Sequence, residues 1–343
     1  MTARSRYSGA YSQAGVNIDA AQQTKERIKK LAASTFGPGV LSEIGLFGGL
    51  FEVKGFREPV LVSSVDGVGT KLKLAAALDK YDTIGMDLVH HCVNDILTLG
   101  AQPLFFLDYI AMGHLHPEKV EGLVRGLALA CRLAGCALVG GETAEMPGIY
   151  RGNDFDLVGF IIGVVSKGEI ITGRKIVSGD VLLGLPSSGL HTNGYSLARR
   201  AFGLNRKDAA SRLNQVYPEL GRTLGEELLE PHRCYYPMLK PVLPLVKGLA
   251  HITGGGLLDN LPRILPESLA AKIDKNSWSV PPIYDLIQKK AKVAEEEMYR
   301  VFNMGVGMVV VASPQNGEEL LSKLPGAWRL GKMVQGDKRV ILG

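Results

Sequence analysis

The chain has 343 residues, 46% of them hydrophobic and 21% charged, with a formal net charge of +5. Single cores stop growing near ~250–300 residues, so this length predicts two domains. The modest positive charge, with no long basic block, favours a small anionic ligand over nucleic acid, and the longest apolar runs, such as 157–165, fall far short of the ~20 residues of a membrane span.

Residues 1–19 read as a polar arm with a turn at Ala14-Gly15-Val16-Asn17, and Met1 to Ala10 lacks the apolar stretch of a signal peptide. A helix is expected over 20–34, a Gly- and Pro-rich loop over 36–56 and a strand over 60–65. Residues 83–99 have helical spacing, end at Gly100, and carry Asp87, His91, Asn94 and Asp95 on one side. A strand follows at 104–112. It is apolar at odd and even positions alike, which predicts cover on both faces and, with few helices available, a second subunit supplying part of it. A helix over 117–133 closes at Gly135, and strands at 137–140 and 156–165 complete the first half. Gly140-Gly141 is expected to turn the chain sharply and present Glu142.

The polar Lys167-Gly168-Glu169 marks the boundary between domains 1–168 and 169–343. Beyond it come a strand from Val181, a loop over 186–194, a helix over 195–202, the run His251-Ile252-Thr253-Gly254-Gly255-Gly256 and a strand over 306–312. The fold class expected is α+β, a two-domain chain with alternating strands and helices. Cys92, Cys131, Cys136 and Cys234 lack C-x-x-C spacing and read as reduced thiols of a cytoplasmic protein.

The chemistry concentrates in a few runs. In Ser63-Ser64-Val65-Asp66-Gly67-Val68-Gly69-Thr70-Lys71 a strand feeds an aspartate, then mobile backbone amides, a hydroxyl and a cation. Carboxylate oxygens hold Mg²⁺, while free amides and lysine hold phosphate, so the run predicts a nucleotide–metal site. It is not a Walker A loop, because the order Gly69-Thr70-Lys71 exchanges lysine and hydroxyl. Asp66, Asp87, Asn94, Asp95 and Glu142 supply the oxygen-rich side chains; singly, each also reads as a helix cap or a solvated face residue. Ser188, Gly189, His191 and Asn193 precede a helix whose free amides suit a phosphate, and Gly254 and Gly255 permit close backbone approach beside His251 and Thr253. His90 and His91, being adjacent, point to different faces and do not form a metal pair.

Taken together, these runs resemble the phosphoribosylformylglycinamidine cyclo-ligase (aminoimidazole ribonucleotide synthetase) family. Gly140-Gly141-Glu142-Thr143-Ala144-Glu145-Met146-Pro147-Gly148 combined with Ser188-Gly189-Leu190-His191-Thr192-Asn193-Gly194 carries most of the likeness. The run from Asp95 to Pro103 is shared by a wider superfamily of ATP-using enzymes. The resemblance implies ATP-dependent ring closure of formylglycinamidine ribonucleotide, with ATP and Mg²⁺ as cofactors. It also implies an N-terminal mixed sheet forming a β-barrel across a homodimer and a C-terminal α/β sandwich domain. By the same likeness Asp66, Asp87 and Asp95 hold metal; Gly67, Gly69, Thr70, Lys71, Asn94, Glu142 and Thr143 contact ATP; Ser188, Gly189, Asn193, Thr253, Gly254 and Gly255 seat the substrate. His191 is then the first choice for proton handling, His251 the second, with Asp95 beside them. Rival readings are a selenophosphate synthetase, a thiamin monophosphate kinase or a non-catalytic nucleotide-binding protein. The first usually has a reactive Cys in its N-terminal arm, whereas here no Cys precedes Cys92.

Overall fold

The structure is a computed structural model and describes residues 18–45 and 47–343. The expected N-terminal arm and its turn at Gly15 lie outside the described residues.

Helix α1 (Ile18–Ala33) is followed by the loop expected over 36–56, which carries a bridge between Val40 and Phe51 and a hydrogen bond from the Leu50 amide to Ser42 Oγ. Strand β1 (Pro59–Gly67) then runs through Asp66 into a short 3-10 turn, Gly69–Lys71, and helix α2 (Leu72–Leu78). Helix α3 (Asp82–Leu97), strand β2 (Gln102–Met112), helix α4 (Pro117–Ala134) and strands β3 (Ala137–Glu145) and β4 (Phe155–Ser166) follow. Pro117 opens α4 and Gly135 closes it in the left-handed region at φ 71°, as the sequence predicts.

The first sheet has the order β1-β4-β2-β3, antiparallel except for the parallel pair β2 and β3. Helix α3 packs on β1, β2 and β4, and α4 packs on α3 and β3. The two helices cross closely because both have glycine at the crossing: a Cβ on Gly126 would strike the Asp82 carbonyl, and one on Gly85 the Leu123 carbonyl. This close crossing holds α3, the helix with most of the acidic and imidazole groups, rigidly on the sheet.

Within one chain the faces of β2 are not equally covered: Phe106, Asp108 and Ile110 are buried toward the helices, while Phe105, Leu107 and Tyr109 are half-buried on the other face, the one expected to need cover from a second subunit. Strand β3 corrects an expectation. The chain does not turn at Gly140-Gly141; the strand continues to Glu145, paired with β2. Gly141 is needed there for space, because a Cβ would strike the Asp108 carboxylate.

The second sheet has the order β12-β9-β11-β5-β10-β8, built from β5 (Val181–Pro186), β8 (Gly248–His251), β9 (Leu269–Ile273), β10 (Val306–Ala312), β11 (Trp328–Gln335) and β12 (Arg339–Leu342). It too is mixed, with β12 parallel to β9. A small ribbon of β6 (Val216–Tyr217) and β7 (Arg222–Thr223) lies outside both sheets. The sheets thus take residues 59–166 and 181–342, and one continuous apolar core spans both. The four cysteines are free. Among the described residues no helix is long and apolar enough to cross a membrane.

Candidate active site

Helix α3 meets the end of β1 and the end of β8 at a cluster of two carboxylates and several imidazoles. One helical face presents Asp87, His91 and Asp95, spaced four residues apart. His91 Nε2 lies 2.9 Å from Asp66 Oδ2 and 3.7 Å from Asp95 Oδ2, while its Nδ1 meets Thr192 Oγ1 at 2.7 Å. Asp95 Oδ1 accepts from His251 Nδ1 at 2.8 Å, and Asp95 Oδ2 accepts from Ser64 Oγ at 3.2 Å.

Charge follows from this geometry. Burial alone would push the Asp66 and Asp95 carboxyls up, but His91 with the Gly67 amide holds Asp66, and the hydrogen bond from His251 with His91 and Ser64 holds Asp95, below the usual carboxylate range. Burial alone would lower His91, yet Asp66, Asp95 and Asp87 raise it, so this ring stays toward its cationic form. The Asp66 side chain is 44% exposed and that of Asp95 29%, so these two carboxylates remain open to a ligand while His91 is buried beneath them.

Around this floor stand the glycine loops. Thr70 Oγ1 and Ser196 Oγ are 3.2 Å apart, Gly69 lies against the Thr192 carbonyl, and Gly254 lies against the Asn193 side chain. Thr253 and Gly254 are held by Asn260, whose amide donates to the carbonyls of Thr253, Gly254 and Gly256. Gly255, at φ 97°, is the N-cap of the next short helix. The expected residues Asp66, Gly67, Gly69, Thr70, Asp95, Asn193, Thr253, Gly254, Gly255 and His251 are therefore brought together at one cleft between the sheets.

Other expected residues have different partners. Lys71 and Asp87 are both fully buried and bonded to each other at 2.7 Å; Lys71 also donates to the Glu230 carbonyl at 2.8 Å. Burial pushes Asp87 up, to about 6, against the pull of Lys71, and pushes Lys71 down. From the sequence, Lys71 is expected to meet phosphate and Asp87 metal; here the two are buried and paired with each other. Asn94 is also engaged on both sides, donating to the Arg233 carbonyl and accepting from the Tyr235 amide. Glu142 and Thr143 are on the far edge of the first sheet. The register Asp66, Gly159, Asp108, Gly141 crosses three interstrand spacings of ~4.8 Å, which puts them roughly 14 Å from Asp66 within one chain.

His191 is 1% exposed and sits at φ 59°. Its Nε2 accepts from the Ser188 amide at 3.1 Å, so in the neutral ring Nδ1 carries the proton. Burial holds it well below the usual histidine range. In this arrangement the lone pair of the expected proton handler is engaged by the Ser188 amide. Ser188 Oγ donates to the Pro231 carbonyl, and the Gly189 carbonyl accepts from Tyr284 and Asn303. These bonds fix the loop rather than leave it open to substrate.

Sequence reasoning missed the segment from Glu230 to Tyr235. It crosses α3 and meets Lys71, Ser188, Asp87, His90 and Asn94 through its backbone. His232 in that segment stacks on His191 at 3.9 Å and meets His251. Nothing in its spacing marks it, because its partners are 19 to 145 residues away.

Comparison with known proteins accords with this two-sheet, one-cleft arrangement. Residues 54–165 match the family model described as AIR synthase related protein, N-terminal domain, and 177–343 match the C-terminal domain. The chain is therefore of the AIR synthase related class. It is 52% identical over 343 residues to the phosphoribosylformylglycinamidine cyclo-ligase of Carboxydothermus hydrogenoformans, covering 97% of this chain and 98% of that protein. It is 50% identical over 337 residues to the enzyme of the same name from a Thermoanaerobacter species, covering 97% and 99%. The chain belongs to the phosphoribosylformylglycinamidine cyclo-ligase family, ligases that form a carbon–nitrogen bond. Among solved structures, thiamine-monophosphate kinase from Stenotrophomonas maltophilia superposes with a TM-score of 0.67 at 17% identity, covering 93% of this chain and 95% of that one. E. coli HypE gives 0.65 at 18%, covering 94% and 93%. At such identities these two share the fold alone.

Proposed function

We propose that the chain closes the imidazole ring of formylglycinamidine ribonucleotide at the expense of ATP, giving aminoimidazole ribonucleotide, ADP and phosphate. The observation that carries this reading is the near full-length identity of about half to enzymes of that name, with the acidic pair Asp66 and Asp95 open at the cleft. The formyl amide oxygen is a poor leaving group. Transfer of the γ-phosphoryl group to it releases ADP. Attack by the neighbouring nitrogen on the same carbon then releases phosphate carrying that oxygen, and the attacking nitrogen loses a proton.

Asp66 and Asp95 fit Mg²⁺: both are ionised oxygen donors, partly exposed, and converge on a single buried imidazole. When bound there, Mg²⁺ would spread the charge of the phosphoryl oxygens. Gly67, Gly69 and Thr70 offer amides and a hydroxyl for ATP phosphates. Asn193, Thr253, Gly254 and Gly255 line the opposite wall for the ribonucleotide. His91 backs the carboxylates with a hydrogen bond to Asp66, and His251 keeps Asp95 ionised and oriented. The Lys71–Asp87 pair and Asn94 hold α3 against the segment from Glu230 to Tyr235. Incubation of the folded protein with ATP, Mg²⁺ and formylglycinamidine ribonucleotide should yield ADP and aminoimidazole ribonucleotide in equal amounts; absence of product sinks the assignment.

The outer face of the first sheet favours a homodimer. Leu61 is 64% exposed, Val65 56% and Phe160 42%, beside half-buried Phe105, Leu107 and Ile162. A second copy of the same sheet would bury these side chains and close the strand edges, as the barrel expected from the family would. Glu142 and Thr143 lie on β3, which, like β1 with Asp66, is an edge strand that such a dimer would close.

A further inference from the structure

The imidazoles of His191, His232 and His251 converge to within 4.8 Å of one another at their nitrogens, all three buried. Such a trio invites a transition metal, but counting protons argues otherwise. His191 Nε2 already accepts from the Ser188 amide, so its other nitrogen bears hydrogen and cannot ligate. His251 Nδ1 faces the Asp95 carboxylate, which only accepts, so that nitrogen bears hydrogen and His251 Nε2 is a bare lone pair. His251 Nε2 lies 3.0 Å from His232 Nε2. A hydrogen bond between two nitrogens needs one proton, and only His232 can supply it.

We propose that His232 is a positioning residue: its Nε2–H donates to His251 Nε2, fixes the rotation of that ring, and so holds the Asp95 carboxylate toward the cleft. The chain of donation runs His232 to His251 to Asp95. His232 is itself held independently of its ring, since its amide donates to Asp87 Oδ1 at 2.7 Å and its carbonyl accepts from His90 Nδ1 at 2.6 Å. Stacking on His191 sets the remaining rotation of the His232 ring. Outer partners that orient a ligand-binding group in this way are worth about 10–100-fold in metal affinity or activity. The consequence for Mg–ATP rests on the function proposed above; the tautomer assignment does not.

The test therefore has an arm without substrate. With isotope-labelled histidine, nuclear magnetic resonance of the free full chain should show His251 as the Nδ1–H tautomer with a hydrogen-bonded Nε2, and His232 as the Nε2–H tautomer. In His232→Leu, which keeps both backbone bonds, the His251 Nε2 signal should move to that of an unbonded nitrogen. The KM for Mg–ATP should then rise about 10–100-fold. His232→Gln restores a donor and should recover part of both changes. A His251 ring found as the Nε2–H tautomer overturns the proposal, as does an unmoved His251 signal in His232→Leu. Stoichiometric zinc uptake by the wild type, lost in His232→Gln, overturns it in favour of a metal site. Failure of the turnover assay with the wild type, with the tautomers as stated, sinks the proposed function and leaves the positioning role standing.

Discussion

Replacing Lys71 by methionine separates two roles for the most conspicuous cation in the sequence. The substitution keeps the unbranched stem and removes the ammonium group. Lys71 Nζ donates to Asp87 Oδ2 at 2.7 Å, to the Glu230 carbonyl at 2.8 Å and to the His191 carbonyl at 3.3 Å, with no exposure at either side chain of the ion pair. Removing one partner of a buried pair leaves an uncompensated charge and costs about 3–5 kcal/mol. At ~2.1 cal/mol/K per residue, a chain of 343 residues unfolds with an entropy of roughly 0.7 kcal/mol/K, so the melting temperature should fall by about 4–7 °C. Scanning calorimetry at neutral pH measures this. The double variant Lys71→Met with Asp87→Asn should be less destabilised than the two single changes added together, because the stranded charge is gone. A variant that melts like wild type but shows a sharply raised KM for ATP would refute the reasoning and return Lys71 to the phosphates.

Asp95→Asn keeps the shape and removes the charge, and turnover should fall about 10²–10³-fold; near-normal turnover at limiting Mg²⁺ counts against a metal role. Burial pushes the Asp108 carboxyl up from its ordinary 3.8 to about 7. The folded form then binds the proton more tightly, so the stability from Asp108 is full below about pH 4 and is lost as pH rises through about 7. Asp108→Asn should accordingly raise the melting temperature, relative to wild type, more at about pH 8 than at about pH 5; equal differences at the two would exclude a buried, raised carboxyl. A charge on the exposed sheet face, as in Phe160→Glu, should convert a dimer to monomer by light scattering without unfolding it, whereas Phe106→Asp should unfold the chain, because Phe106 is fully buried against the helices. A wild type of one-chain mass in active protein would remove the dimer.

Local pattern determined much of this protein. The carboxylates of α3 fell on one helical face because a period of 3.6 residues is written into the spacing of Asp87, His91 and Asp95. The cap at Gly135 and the late strand Val306–Ala312 were equally legible, since glycine at a helix end and an unbroken apolar run act over a few residues. Only the tertiary structure decided which polar groups are free. Lys71 pairs with Asp87, and Asn94 grips a segment some 140 residues away, because a buried polar group must find a partner wherever the fold brings one. Strand β3 passed through Gly140-Gly141 because Asp108 on the neighbouring strand leaves no room for a Cβ, a reason absent from the run itself. His232 likewise has no local signature: its role exists only where the chain returns across α3 and meets His251 at the end of β8, so long-range packing, not sequence period, placed it in the site.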